Sequence, residues 1–491
     1  MATSFEVKEC DLLGRLGVLR VGQRRLETPC LLPVVHPVSQ MIAPSELLSM
    51  GFRGLMTNSY ILRVRRKEEA LKEGVHKILS YDGFVMTDSG GYQVLEYGDL
   101  GVRYGDVAAF QAGIGSDAAV TLDRPTGYPQ NRPAAEDSVD YSLRNALKTL
   151  KEFGVGGTLW IGPVQGGLYL DMVKRSAAAL AAGGFQMLAL GSPVQVMQNY
   201  MFPDLARMIV ATRKAVPYSV PLHLFGAGHP LTMALAVALG CDTFDSASYV
   251  LFARRGRYMS PLGVAPLESM KSLPCSCPVC SKTSVRELLE LGHADRTKAL
   301  ALHNLHVLRA EVESCKEAIS EGTLWDLVVE RSMAHPMLRK AVPVLVENAE
   351  LLAEGTPAIK DRGLFLRDGY DLRRPELLNS RDRLARSLKR SAPKAVLMAH
   401  GGSPTHGVER KLKGKADVYK LHLALGAYPI ELDFTYPFAQ TSTADELREA
   451  DVKRAVTGLR GLGYRSVKVV GKRKRAVRSR PTRRAASPSP R

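Results

Sequence analysis

The chain is short of acid. It carries 49 aspartates and glutamates against 67 lysines and arginines, a net charge of +18. That imbalance exceeds an ordinary globular surface and points to a polyanionic partner, nucleic acid first. Long apolar runs are missing too. No stretch approaches the ~18 residues needed to span a bilayer, and the N-terminus lacks the basic segment and apolar run of a secretory leader. Disulfide framework spacing is absent: of the seven cysteines, Cys10, Cys30, Cys241 and Cys315 are scattered, which suits a reducing compartment. A soluble, cytoplasmic protein is the expectation. What remains is an apolar fraction of 45%, enough for a real core, spread over 491 residues, which calls for two or three domains.

The other three cysteines are crowded into Cys275-Ser-Cys277-Pro-Val-Cys280, with Pro274 and Pro278 holding the segment as a turn. Three thiols at that spacing and a histidine in the following helical stretch make a tetrahedral Cys₃His zinc site. His303 is the chosen fourth ligand, and spacing leaves His306 and His293 open. With four protein ligands at hand the expected ion is structural, one Zn²⁺ per chain, because a catalytic zinc keeps a position free for water.

Between residues 30 and 250 one theme repeats. A short apolar run ends in small or polar residues, then a helix-like segment follows. Eight such runs begin at Leu31, Gly54, Phe84, Ala119, Thr158, Phe185, Leu222 and Asp242. Alternating βα units imply parallel strands, and eight of them suggest an α/β fold of (β/α)₈ barrel type. An open doubly wound sheet is the competing arrangement. It is weakened because no Gly-x-Gly-x-x-Gly opens the first unit. Polar clusters follow the runs: Asn58-Ser-Tyr, Asp88-Ser-Gly-Gly-Tyr-Gln93, Asp123, Gln165-Gly-Gly, Gly191-Ser-Pro, Gly226-Ala-Gly-His229 and Asp245-Ser-Ala-Ser. In a barrel these ends converge on one face, where active sites are built.

The zinc segment, residues 270–306, reads as an insertion before the last barrel helix, and the catalytic barrel is assigned to 1–355. Residues 357–375 carry loop signals and a charge-rich texture. Residues 356–470 read as a small α+β accessory domain. Residues 471–491 contain no acid and many Arg and Lys, the composition of a disordered basic arm.

Asp88 follows the third run and Asp245 the eighth. Across a barrel mouth they would face one reaction centre, and paired carboxylates flanking a C1′ carbon are the arrangement used at glycosidic bonds. Asp123 is a third acid, suited to accept hydrogen bonds from an amidine-like base edge such as that of guanine. Taken singly, each aspartate has a plainer use as a cap for the next helix.

Read together, Thr87-Asp-Ser-Gly-Gly-Tyr-Gln93, Leu122-Asp-Arg-Pro-Thr126, Val164-Gln-Gly-Gly167, Phe244-Asp-Ser-Ala-Ser-Tyr249 and the Cys275/Cys277/Cys280 clip with His303-Asn-Leu305 are distinctive. The chain resembles the tRNA-guanine transglycosylase family, most closely its archaeal, archaeosine-type branch. The likeness is strong over residues 5–350 and fainter over 360–470, where Leu425-Gly-Ala-Tyr-Pro429 and Tyr436-Pro-Phe look like the archaeal accessory domain. It implies a pentosyltransferase that exchanges a D-loop guanine of tRNA for 7-cyano-7-deazaguanine. It also implies that Asp245 is the nucleophile and forms a covalent ribosyl-enzyme intermediate, with Asp88 in acid/base roles. Asp123, Gln165 and the Gly191 backbone would read the purine edge, with Ser89 and Gly90 in the same substrate-binding set. Arg254, Arg255 and Arg257 would hold flanking tRNA phosphates, and the target base would be extruded to reach the site. A homodimer is the expected assembly.

Two features depart from the archaeal pattern. No PUA domain is legible, so either the basic arm or a separate tRNA-binding subunit would supply that grip. The run Gly-Gly-Tyr-Gln93 stands closer to the bacterial branch. Gly191-Ser-Pro-Val-Gln-Val lacks the acid that queuosine-forming enzymes place nearby, which favours the cyano base. The alternatives are a queuosine-type enzyme acting on an anticodon guanine and a non-catalytic tRNA-binding paralogue. Retention of both Asp88 and Asp245 argues against the paralogue.

Overall fold

The computed structural model describes residues 3–91, 103–399 and 414–471. The chain begins with an antiparallel sheet not expected from the sequence: β1 (Thr3–Asp11), β2 (Gly14–Val21) and β3 (Arg24–Thr28). Eight strands then pair in parallel and in sequence order. They are β4 (Cys30–Val35), β5 (Gly54–Asn58), β6 (Phe84–Asp88), β7 (Ala118–Val120), β8 (Leu159–Val164), β9 (Met187–Leu190), β10 (Leu222–Leu224) and β11 (Thr243–Ser246). β11 pairs back onto β4, with Asp245 beside Leu32, and the barrel closes. The expected (β/α)₈ architecture is what the chain adopts.

The strand sequences explain the closure. Parallel strands are covered on both faces, so they are apolar almost throughout, and every residue of β8 and β9 is buried. Alternate residues point inward. Leu32, Met56, Phe84, Met86, Ala118, Val120, Leu159, Ile161, Met187 and Ala189 form one interior cluster, and Leu19, Val21 and Leu26 of the N-terminal sheet join it. Leu26 packs near Gly54, the first residue of β5, so this sheet covers the end where the strands begin. The outward residues between them, such as Leu31, Leu55, Val85 and Leu188, join the helices in a second core.

After β11 come a short helix, Ser248–Arg254, and the hairpin β12 (Arg257–Ser260) and β13 (Gly263–Pro266). The cysteine segment and the long helix His293–Ser320 follow. By internal packing the chain divides into two compact units, Met1–Arg362 with Gly369–Leu378, and Gly363–Asp368 with Asn379–Arg491. Within the second unit, β14 (Leu364–Leu366) pairs with β18 (Thr441–Thr443). A four-stranded sheet has the order β17-β16-β15-β19, built from β15 (Lys394–Met398), β16 (Asp417–His422), β17 (Gly426–Pro429) and β19 (Ser466–Val470). Leu459 and Ala455 of the helix Glu449–Gly461 pack with Ala395, Leu397 and Tyr419 of this sheet. Beyond Gly471 the basic arm lies outside the described residues.

Some charges in and beside the 357–375 stretch are buried, although Asp361, Arg362, Arg367 and Arg373 face solvent. Lys360, Arg374 and Glu376 are buried within the first unit. Lys360 Nζ donates to Asp11 Oδ1 and to Glu376 Oε1, both at 2.7 Å, and Arg374 pairs with Glu376 and Asp326. Composition alone does not distinguish charges paired in a core from charges facing water.

Candidate active site and metal centre

The inward alternation of the barrel strands continues into the site. Phe84 and Met86 point inward, so Asp88 does as well. The same count places Asn58 after Met56, Gln165 after Leu159 and Ile161, and Gly191 after Met187 and Ala189. Side chains at the strand ends therefore meet at one mouth.

Asp88 Oδ2 accepts from Asn58 Nδ2 at 3.0 Å and from the Gly90 amide at 3.3 Å, and Ser59 Oγ donates to the Asp88 carbonyl at 2.7 Å. Although part of Asp88 stays open at the mouth, burial is the main cause that raises its carboxyl pKa to about 6, and the charge of Asp245 adds to it. That interaction puts the two carboxylates in one field. Ser89 is buried, and its hydroxyl has no hydrogen-bond partner among the described residues.

Asp123 and Gln165 form one unit. Gln165 Nε2 donates to Asp123 Oδ2 at 2.6 Å. Gln165 Oε1 accepts from the Thr126 amide at 3.0 Å and from Ser192 Oγ at 2.9 Å, which fixes the amide's orientation. Burial, then the charge of Asp88, pushes the Asp123 pKa up to about 7. Two glycines are required by close approach. A Cβ at Gly91 would lie 2.1 Å from Asp123 Oδ1, and one at Gly191 2.3 Å from Gln165 Nε2. The Gly191 amide donates to the Val164 carbonyl at 2.8 Å. Beside this unit a cleft of about 210 Å³ opens between Thr126–Gln130 and Leu168–Tyr169. A larger cavity, about 360 Å³, lies within the second unit among Leu388, Leu421 and Leu459.

Asp245 is 8% exposed. Its Oδ1 accepts from the Gly226 amide at 2.8 Å and meets His223 Nε2 at 3.1 Å. His223 was missed in the sequence as anything but a strand residue. The signal was present: Leu222 and Leu224 flank it as outward residues, so His223 must face inward. Arg254, Arg255 and Arg257 are exposed at and just beyond the end of the helix that follows Asp245. Tyr92 and Gln93 lie outside the described residues.

The metal centre assembles from Cys275, Cys277, Cys280 and His303, whose ligand atoms all lie within 4.8 Å of one another. This spread suits tetrahedral thiolate and imidazole ligation, in which sulfurs sit ~2.3 Å from the ion. His303 Nδ1 faces the sulfurs of Cys277 and Cys280, at 3.5 and 3.3 Å, while Nε2 donates to the Met259 carbonyl at 2.9 Å. That second bond selects the tautomer with a bare Nδ1, as a ligand requires. Tyr258 stacks on the ring with centroids 3.7 Å apart. His306 and His293 are not in the cluster. Asn304, the next residue on the helix, accepts from the Met259 amide and donates to the Tyr249 and Arg257 carbonyls. The centre thus braces the segment that follows Asp245.

A family model described as queuine tRNA-ribosyltransferase (TGT) matches residues 10–337. The chain belongs to this family. Several relatives resemble it over nearly their whole length. A tRNA-guanine(15) transglycosylase of Sulfolobus acidocaldarius is 36% identical over 96% of both chains. One of Aeropyrum pernix is 38% identical over 94% of this chain and 93% of its own. One of Methanopyrus kandleri is 39% identical over 89% and 95%. The matched region holds Asp88, Asp123, Gln165, Asp245 and all four metal-centre residues. Family membership bears out the resemblance read from the motifs. Among the described residues no helix is long and apolar enough to cross a membrane.

Proposed function

We propose that this chain is a tRNA-guanine transglycosylase of the archaeosine type, exchanging a D-loop guanine of tRNA for 7-cyano-7-deazaguanine. The observation that carries the proposal is the convergence of Asp88 and Asp245 on one mouth with the Asp123–Gln165 pair beside them. The names of its archaeal relatives support the choice of guanine 15.

In the first displacement Asp245 attacks C1′. The C1′–N9 bond breaks, its electron pair passes to N9, and protonated Asp88 supplies the proton to the leaving guanine. The incoming base then gives its N9 proton to Asp88 and attacks C1′ with that nitrogen, and the C1′–Asp245 bond breaks. Two inversions leave the configuration retained. A carboxyl raised to about 6 suits Asp88 to both directions of transfer near neutral pH. Asp123 and Gln165, with Ser89, Gly90 and the Gly191 carbonyl, bind the purine. Arg254, Arg255 and Arg257 take flanking phosphates.

Cys275, Cys277, Cys280 and His303 would hold one Zn²⁺, which supplies folding free energy and no chemical step. The first compact unit, which takes in 1–355 and also 356–362 and 369–378, forms the catalytic part, the second unit up to residue 470 the accessory domain, and 471–491 an arm that neutralises tRNA phosphates. Incubation with tRNA and 7-cyano-7-deazaguanine, followed by nucleoside mass spectrometry, tests the function. Incorporation of the deaza base at a D-loop guanosine supports it, and its absence with radiolabelled guanine also left unexchanged refutes it.

A further inference from the structure

Asp245 presents its two oxygens unequally. Oδ1 faces two donors, the Gly226 amide at 2.8 Å and His223 Nε2 at 3.1 Å. Oδ2 takes no hydrogen bond from the described residues. The ring that faces Oδ1 is itself fixed. His223 is fully buried, its Nδ1 lies 2.8 Å from Thr243 Oγ1, and Phe225 packs edge-on against it with centroids 5.0 Å apart. Cross-strand register explains the contact, because His223 of β10 sits directly beside Thr243 of β11, two residues before Asp245 on the same inward face.

We propose that His223, held by Thr243, is the positioning residue for Asp245: it ties down Oδ1 and leaves Oδ2 as the attacking oxygen. The inference rests on the transglycosylase reading and adds to it. A carboxylate oxygen only accepts, so the Nε2 that meets it carries the hydrogen. In the neutral ring Nδ1 is then bare, and the Thr243 hydroxyl donates to it. The side chain of Thr243 thus selects the tautomer that Asp245 needs, much as a second partner fixes the tautomer of any working histidine. Two separate donors on one oxygen suit this task better than an arginine would. A guanidinium fork grips both carboxylate oxygens at once and leaves neither free to attack.

The two amide replacements separate the ring nitrogens. Gln at 223 keeps a donor near the Nε2 position, and Asn keeps one only near Nδ1. Steady-state guanine exchange with radiolabelled guanine, KM for tRNA and melting temperature are measured for the wild type, His223→Gln, His223→Asn and Thr243→Val. His223→Asn loses roughly 10²-fold in kcat with KM for tRNA within about twofold, and His223→Gln stays within about tenfold of wild type, because small misplacement of a reacting group costs on that scale. Thr243→Val removes one hydroxyl without changing side-chain shape and lowers kcat by about tenfold on the same grounds. Equal kcat for the Gln and Asn variants at wild-type melting temperature overturns the positioning role. So does an unchanged kcat in Thr243→Val, the variant that answers the question if the buried histidine replacements do not fold. A wild type that exchanges no guanine overturns the function itself, and the positioning role with it.

Discussion

Gln165 reaches Asp123 from the neighbouring strand end, its Nε2 donating to Oδ2 at 2.6 Å, while three further bonds hold its own oxygen. One face of Asp123 is therefore satisfied within the protein. The other oxygen lies where it excludes a Cβ from residue 91, and in the proposed function it takes a donor from the guanine edge.

This arrangement makes the site sensitive to pH in a definite direction. Asp123 has its folded pKa raised to about 7, above the ~3.9 of an unfolded aspartate. The folded state therefore binds the proton more tightly, and stability falls as pH rises from about 4 to about 7. Asp123→Asn removes that titration. Thermal melts at pH 5 and pH 8 should show a smaller loss of Tm in the variant than in the wild type, together with a large fall in guanine exchange. An equal loss of Tm in both proteins contradicts the buried-carboxylate reading.

The metal centre is expected to act on folding. Elemental analysis should find one zinc per chain, and Cys280→Ser should lower both zinc content and Tm, since metal binding free energy is folding free energy. Asn304 carries the effect toward Tyr249 and Arg257, so weakened tRNA affinity should accompany it. A zinc-free preparation with an unaltered melting point removes the structural role.

A third expectation concerns Asp242, at the start of the strand that carries Asp245. It is buried and accepts from Arg15, Arg213 and the Leu222 amide. Asp242→Ala leaves two guanidinium groups without their carboxylate, and loss of one partner of a buried pair costs about 3–5 kcal/mol. Urea denaturation monitored by circular dichroism measures it. A loss well below 1 kcal/mol would show that the arginines find other partners.

The barrel was legible because parallel strands, covered on both faces, leave short apolar runs, and seven of the eight runs end in polar clusters, which is hard to produce otherwise. Asp88, Asp123 and Asp245 could be named because each stands at such an ending, and the cysteine spacing named the metal centre. Less was legible where a residue's meaning depends on its partner. His223 reads as strand filler until Thr243 and Asp245 are seen beside it. Lys360 and Arg374 belong to a stretch that reads only as a charge-rich loop, and their pairing with Glu376 in the interior shows only in the structure. The N-terminal strands β1–β3 were overlooked because their exposed and buried residues alternate irregularly, with a register shift between Val7 and Glu9.

In the proposed reaction Asp245 becomes covalently bound to the ribose of tRNA. Wild-type protein is incubated with tRNA, quenched in denaturant and digested with nuclease and protease, and the nucleotide-bearing peptide is mapped by mass spectrometry. A ribosyl adduct is expected on Asp245 and is absent from Asp245→Asn, which still binds tRNA but exchanges no guanine. An adduct on Asp88, or guanine exchange at the wild-type rate in Asp245→Asn, would contradict it.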